Sequence, residues 1–389
     1  MWSIWACVIS LLVYHLSRCV GSPISKVPGP WYTRFTSLWI KYQEFTANRR
    51  VSIHRLHEKY GPVVRIGPNE VSFTSLDAIK EIYSSGGSGY DKTEFYTLFR
   101  QFNIRTMFST LPRDEHSKRK RIFAERYAMT NVMKPQPMAA IHERAMSFVR
   151  QCAEAGPKSV DVYPEPDGYT LLEKLKRQES KLELMQAAAE CKDHMAAGID
   201  TTGDGLCFLM WELSQPQNLE FQTRLHHELV TAPADVPLDG LVYLDAVIKE
   251  SLRCSPPIPM SLPRYVPHGG RVIDGYFVPA HTIVSCQPYT VHHCHEDVFP
   301  EPNRFNPDRW LEEKNGAERN RHFFAFAVGG RGCTGKNLAL VEMKSLLREV
   351  YSRFRTTVAD DMSGSMKLDD QIISARPKGQ TCKLVFTPM

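Results

Sequence analysis

The stretch "FAFAVGGRGCTGKN", residues 324–337, sets one cysteine, Cys333, among glycines at 329, 330, 332 and 335, with Arg331 two positions before it. Glycine backbone takes left-handed and tightly turned conformations and admits a bulky group close to the chain, so a loop this bare is built around something. Downstream, Leu340, Met343, Leu347, Val350 and Phe354 recur at steps of three and four, the apolar stripe of an amphipathic helix over residues 336–354. Cys333 therefore precedes a helix N-terminus, where unpaired amides and the helix dipole favour a thiolate, the form of sulfur that ligates metal. A glycine-rich turn carrying a buried, inert cysteine is the plain alternative.

The chain around this loop is 389 residues long, with 42% apolar and 23% charged residues, an ordinary globular composition. That length allows two or three domains or one large helical core. A net charge of +5, with no uninterrupted basic stripe and no recognition motif, excludes nucleic-acid binding as the function; the densest basic patch is "HSKRKR", residues 116–121. Ten cysteines are scattered without a C-x-x-C, which points to a reducing, cytosol-facing compartment.

The N-terminal "MWSIWACVISLLVYHLSRCVG" has no charged side chain before Arg18. A membrane span needs about 20 apolar residues, so residues 1–20 read as a short or tilted anchor. A cleaved signal peptide is the rival, but its positive leading region is missing. Arg18, Lys26, Arg34 and Lys41 all follow the run, the bias of a single-pass anchor with a cytosolic body. "VPGPWY", residues 27–32, lies in a proline-rich hinge over 21–35, and residues 36–389 form the body.

Within the body, "VVRIGPNEVSF" (63–73) reads as two strands around a Gly-Pro-Asn turn, and "VIDGYFVPAHTIV" (272–284) as a hairpin turning at Asp274-Gly275. Helical patterns cover residues 114–128, 138–154, 171–213 (broken into two), 216–230, 239–253 and 336–354. The expectation is a mainly α fold with a small β portion.

The full spacing of the cysteine loop, F-x-x-G-x-R-x-C-x-G, is carried by Phe326, Gly329, Arg331, Cys333 and Gly335. It resembles the heme-ligating loop of the cytochrome P450 family. The resemblance implies heme b with Cys333 as the axial ligand to iron, where a thiolate donates electron density and favours O–O cleavage. Arg331 then suits a heme propionate.

Other stretches fit the same family. In "VIKESLR" Glu250 and Arg253 lie one helical turn apart, by themselves no more than a surface ion pair. Downstream, "FPEPNRFNPDRW" (299–310) supplies a P-x-R-F element as Pro302, Arg304 and Phe305. The resemblance implies a buried structural network of Glu250, Arg253 and Arg304 behind the heme. "AAGIDTT" (196–202) places a glycine and two threonines in a helical pattern, against propensity. A helix crossing that needs small residues would account for it. By resemblance, Ala197 and Gly198 open a groove for dioxygen, Thr201 donates to its i−4 carbonyl and bends the helix, and Asp200 and Thr201 relay protons. His116, Lys120 and Arg121 match positions that bind heme propionates, with Lys120 a point charge where the family often has an arginine fork, and a solvated basic face is the alternative. Arg264, in "SPPIPMSLPR", matches a further propionate arginine. "VHHCHEDVF" (291–299) is declined as a zinc site, because adjacent His292, His293, Cys294 and His295 diverge along the chain.

One interval departs from the family: only 76 positions separate Arg121 from Ala197, fewer than the resemblance requires for the helices that roof the substrate pocket. The seam falls in "VDVYPEPDGYTLLEK", residues 160–174. The expected fold is thus P450-like without part of its distal lid. The expected activity is monooxygenation of an apolar organic substrate in fungal secondary metabolism, at the endoplasmic reticulum membrane, with electrons from an NADPH-dependent reductase. A heme-binding but catalytically idle isoform is the other reading.

Overall fold

A computed structural model describes residues 21–84, 89–163, 184–233 and 235–389, together with Trp5, Ser10, Val13 and Ser17. Its longer helices are α1 (Leu38–Phe45), α2 (Arg49–Tyr60), α3 (Arg113–Ala124), α4 (Pro135–Ala155), α5 (Leu184–Leu213), α6 (Leu219–Thr231), α7 (Val242–Cys254), α8 (Pro288–His293), α9 (Gly316–His322) and α10 (Lys336–Tyr351). The strands are β1 (Val63–Gly67), β2 (Glu70–Phe73), β3 (Asp91–Lys92), β4 (Val160–Asp161), β5 (Arg264–Tyr265), β6 (Arg271–Ile273), β7 (Tyr276–Val278), β8 (Ile283–Cys286), β9 (Phe354–Val358), β10 (Leu368–Asp370), β11 (Ala375–Pro377) and β12 (Lys383–Pro388). They form small sheets among the helices: β1-β2-β8-β5-β3, β4-β12-β9, and the pairs β6-β7 and β10-β11. The mainly α architecture with a small β portion is the one the patterning implied.

Two apolar cores hold these elements. The larger packs α4 to α7 and α10 against β9 and β12 through Val149, Leu209, Leu225, Val247, Leu347 and Phe386. Helix α7 is enclosed on nearly every side, with Leu244, Val247 and Ile248 at 0% exposure. The second core lies on the five-stranded sheet, where Val71, Phe73, Val284 and Cys286 meet Phe324. Burying one such side chain contributes about 1.5–3 kcal/mol. The cysteine loop spans both: Phe324 is rooted in the sheet core, while Val341 and Leu347 of α10 belong to the helical core. Packing at both ends thereby holds the loop in place.

Local patterns decided most elements. β1 and β2 pair antiparallel around Pro68-Asn69. In the β6-β7 hairpin Asp274 and Gly275 have φ of 47° and 79°, the left-handed pair of a type I′ turn. The hairpin is shorter than the pattern suggests, because Ile283–Cys286 leaves it to pair parallel with β2. Helix α10 ends at Tyr351 rather than at 354; Phe354 opens β9, whose Thr356, Thr357 and Val358 prefer the ladder with β12. Helix α5 is continuous from Leu184 to Leu213, so the expected break does not fall within that span; the expected start of the helix, like most of the seam after Tyr163, lies outside the described residues. The expected anchor also lies outside them apart from four residues, and among the described residues no helix is long and apolar enough to cross a membrane.

Candidate functional site

The cysteine loop enters through Phe324, whose amide donates to His292 Nε2 at 2.9 Å. Gly329–Arg331 form a 3₁₀ turn, and the Cys333 amide closes the loop onto the Phe326 carbonyl at 2.9 Å. Gly329 is obligatory for two reasons: its φ is +70°, and a Cβ there would lie 2.0 Å from the Tyr83 carbonyl oxygen. At this position the bareness serves contact between two backbones. Gly330 has open space beside it, and Gly335 caps α10 with the Cys333 sulfur 3.9 Å from where its Cβ would be.

Cys333 is exposed at its surface. Burial nonetheless raises its thiol, opposed by the amides of Gly335 and Lys336 and by the charges of Lys120 and Lys336. The sulfur is thus both reachable and crowded, with the first amides of α10 turned toward it. The helix N-terminus by itself does not hold this thiol below its ordinary range, contrary to the sequence expectation. A metal cation would, since coordination deprotonates a thiol outright.

Beside the loop the protein gathers positive charge. Arg264 is 3% exposed and Lys92 and His116 are each 4% exposed. Arg264 donates to the Tyr96 hydroxyl at 2.7 Å and to the Pro263 carbonyl at 2.9 Å. Lys92, which the sequence reading missed, sits over the rings of Tyr96 and Phe108. Arg331 donates to the Leu111 carbonyl and lies 3.5 Å from Asp91. Burial, then Lys92, Arg331, Lys120 and Arg264, drive His116 down to about 2. Burial and Arg264 bring Arg331 to about 10. His116 Nδ1 and Arg331 Nη1 are buried without a hydrogen-bond partner among the described residues. So much buried positive charge with orphaned polar nitrogens calls for an anion.

The remaining basic positions behave differently. Lys120 donates to the carbonyls of Gly330 and Gly332 at 3.0 and 2.8 Å, clamping the cysteine loop. Arg121 is exposed and its Nε turns back to Ser117 of its own helix, so the structure does not bring it to the cluster.

Behind the loop, Glu250 and Arg253 are fully buried and paired at 2.9 and 3.0 Å. Arg304 does not join them. Its side chain is 62% exposed and pairs with Glu301, and only its carbonyl takes part, accepting from Arg253. The third member is Arg309, 3% exposed, which donates to Glu250 Oε1 at 3.0 Å, with Trp310 Nε1 on Oε2 at 2.9 Å. The segment carries P-x-R-aromatic twice, at 302–305 and 307–310, and burial of Arg309 against α7, with the Trp310 indole donating to Glu250, selects the second. Burial alone would raise the Glu250 carboxyl, but Arg253, Arg309 and the Asn306 amide hold it below its usual range.

The four residues declined as a zinc site take separate partners. His292 Nδ1 donates to the Arg253 carbonyl, His293 stacks on Tyr289, Cys294 meets His54 and His295 bonds the Thr74 carbonyl. His292 thus links the buried ion pair to the entry of the cysteine loop.

In α5, Thr201 Oγ1 donates to the Ala197 carbonyl at 2.6 Å, the back-bond that bends helices. Ala197, Gly198 and Asp200 are exposed, and a Cβ on Gly198 would meet nothing within 4 Å. One turn on, Asp204 is 5% exposed, and burial and Asp200 push it up to about 7.

A family model described as Cytochrome P450 matches residues 129–384. The chain belongs to the cytochrome P450 family. Members are oxidoreductases that use heme b, and the cluster at Lys92, His116, Arg264 and Arg331 has the charge and the unpartnered nitrogens that heme propionates would satisfy. This P450 is similar to several fungal proteins. Cytochrome P450 monooxygenase orf2 of Aspergillus niger is 25% identical, covering 96% of each chain. Cytochrome P450 monooxygenase hkm5 of Aspergillus hancockii is 25% identical over 96% of this chain and 93% of its own. Cytochrome P450 monooxygenase stcB of Emericella nidulans is 26% identical over 94% and 89%. The orf2 match runs over 473 aligned residues, so at least 473 − 389 = 84 of them have no counterpart in this P450.

Proposed function

We infer that this P450 is a heme-thiolate monooxygenase that inserts one oxygen atom of dioxygen into an apolar organic substrate, in fungal secondary-metabolite biosynthesis, with electrons from an NADPH-dependent reductase. The observation that carries the reading is Cys333: a reachable sulfur in a two-core loop, faced by the first amides of α10 and flanked by a basic cluster in which His116 Nδ1 and Arg331 Nη1 have no hydrogen-bond partner among the described residues. Cys333 would be the axial ligand, and Arg264, Arg331, His116 and Lys92 would meet the propionates. When bound, the heme supplies dioxygen activation, assisted by electron donation from sulfur.

The protein's own residues do the rest. Lys120 fixes the loop carbonyls on either side of Arg331 and so sets the direction of the sulfur. Thr201, held by its bond to Ala197, presents a hydroxyl that passes protons, and Asp200, exposed one residue earlier, takes them from solvent. Gly198 leaves a gap in the helix surface for a small molecule. Residues 1–20 anchor the protein to the endoplasmic reticulum membrane with the body in the cytosol. In this reading the shortened interval between Arg121 and Ala197 corresponds to part of the roof of the substrate pocket. The Asp200–Thr201 pair speaks for an active enzyme with a shortened roof rather than an idle one.

The test is the carbon monoxide difference spectrum of the reduced protein. The red-shifted, thiolate-type band is expected in the natural chain and absent in Cys333→Ala. A band that survives that change assigns the iron to another ligand and overturns the reading.

A further inference from the structure

A half-buried polar pair on the α5 side of the cysteine loop is not used by the chemistry above. Tyr127 ends the short turn after α3, and its carbonyl accepts from Asn337 Nδ2 in the first turn of α10 at 3.0 Å. Its phenol oxygen lies 2.8 Å from His194 Nδ1. The His194 ring stands edge-on to Phe123, with centroids 4.8 Å apart. Among the described residues its Nε2 is buried without a hydrogen-bond partner, and it lies 3.9 Å from Glu190 Oε2. Glu190 is held in turn by the Met107 amide at 3.0 Å and by Arg119 at 3.1 Å.

The ring tautomer that carries its proton on Nε2, facing the Glu190 carboxylate, lets the Tyr127 hydroxyl donate to Nδ1. Burial lowers His194 to about 4, which keeps the ring neutral and able to accept a proton. Burial, then the Cys333 sulfur, raise the Tyr127 phenol to about 12, which keeps the resting tyrosine protonated and places it within the electrostatic reach of that sulfur. A phenol that loses an electron becomes a strong acid. A hydrogen-bonded base that takes the proton in the same step makes the loss far easier.

We propose that Tyr127 and His194 are a redox-active pair that donates one electron to the heme when it stands oxidised with no substrate to consume the oxidation; this rests on the heme-thiolate reading. One electron leaves Tyr127 and reduces the heme by one equivalent. The phenol O–H bond breaks, its proton moves to His194 Nδ1, and the products are a neutral tyrosyl radical and an imidazolium whose Nε2–H faces Glu190. The discharge spares the Cys333 sulfur, which oxidises readily as a reachable thiolate.

The full chain, loaded with heme and ferric, is mixed with a peracid, which delivers two oxidising equivalents and departs as the carboxylic acid, and is freeze-quenched for electron paramagnetic resonance. The expected result is an organic radical whose hyperfine pattern narrows when the protein carries ring-deuterated tyrosine, and which is lost in Tyr127→Phe. His194→Gln keeps a hydrogen-bond acceptor without a comparable base and is expected to lower the radical yield severalfold while Tyr127 stays in place. An unchanged yield in either variant overturns the proposal. So does a natural protein that shows the thiolate carbon monoxide band and yet no tyrosine radical, a result that leaves the heme-thiolate reading standing.

Discussion

The region behind the cysteine loop and the middle of α5 stand in contrast. Behind the loop, Glu250 accepts from Arg253, Arg309, Trp310 and the Asn306 amide at zero exposure. In the middle of α5, Ala197, Gly198 and Asp200 face outward, and the Thr201 side chain bonds locally, to the Ala197 carbonyl. The first region is a support, where every buried charge is paired and removal of one partner strands another. The second is a working face, where small and polar side chains stay open to what arrives. Removing a group should therefore damage the fold in one place and the chemistry in the other.

The largest expected effect is in the support. Glu250→Ala, Arg253→Ala and Arg309→Ala should each lose about 3–5 kcal/mol in denaturant unfolding, because a buried charge is left without its partner. Arg304→Ala should change stability by less than about 1 kcal/mol, as expected of a surface pair. A loss at Arg304 equal to that at Arg309 would break the contrast between the two P-x-R registers.

A second effect in the same region depends on pH. Burial, with Arg253 nearby, lowers His292 from its ordinary 6.5 to about 3. The unfolded chain takes up this proton first, so the contribution is fully present above pH 6.5 and is lost as pH falls from there toward 3. The slope is about 1.4 kcal/mol per pH unit, or about 2 kcal/mol between pH 6.5 and 5. His292→Gln should flatten the stability profile by that slope when unfolding is followed from pH 7 to 5. Parallel profiles would show that His292 does not titrate with folding.

The working face gives smaller changes in stability and larger ones in chemistry. Thr201→Val removes the back-bond at a cost of about 1 kcal/mol or less, yet should raise the peroxide released per electron consumed. An unchanged peroxide yield removes Thr201 from the proton path. Asp200→Asn, at an exposed site, should move stability by no more than about 0.5 kcal/mol while slowing product formation. A large unfolding effect there would sharpen the contrast differently, by making this face part of the support.

Much of the site was legible because its logic is short-range. The cysteine loop and the helix after it lie within one stretch, the Glu250–Arg253 pair is an i,i+3 contact, and the Thr201 bond to Ala197 is i,i+4. What was missed is spread along the chain. Lys92 sits in no motif, and only the packing of Tyr96 and Phe108 sets it beside Arg264 and Arg331. Arg309 was overlooked because an equal spacing stands five residues earlier, and a spacing carries no burial. Tyr127 and His194 are 67 positions apart and meet only because α5 crosses the end of α3.

By itself the sequence determined the helices with strong apolar stripes, the Asp274-Gly275 turn, the bare loop at Cys333 and the family it belongs to, since each follows from residues within a few positions of one another. The tertiary structure alone decided which arginine completes the Glu250 network, that Gly329 yields to the Tyr83 backbone, that Lys120 clamps the loop, and that Ile283–Cys286 joins β2. In each case the deciding contact joins segments distant in sequence. The choice fell to whichever arrangement buried the apolar surface and left the fewest charges unpaired.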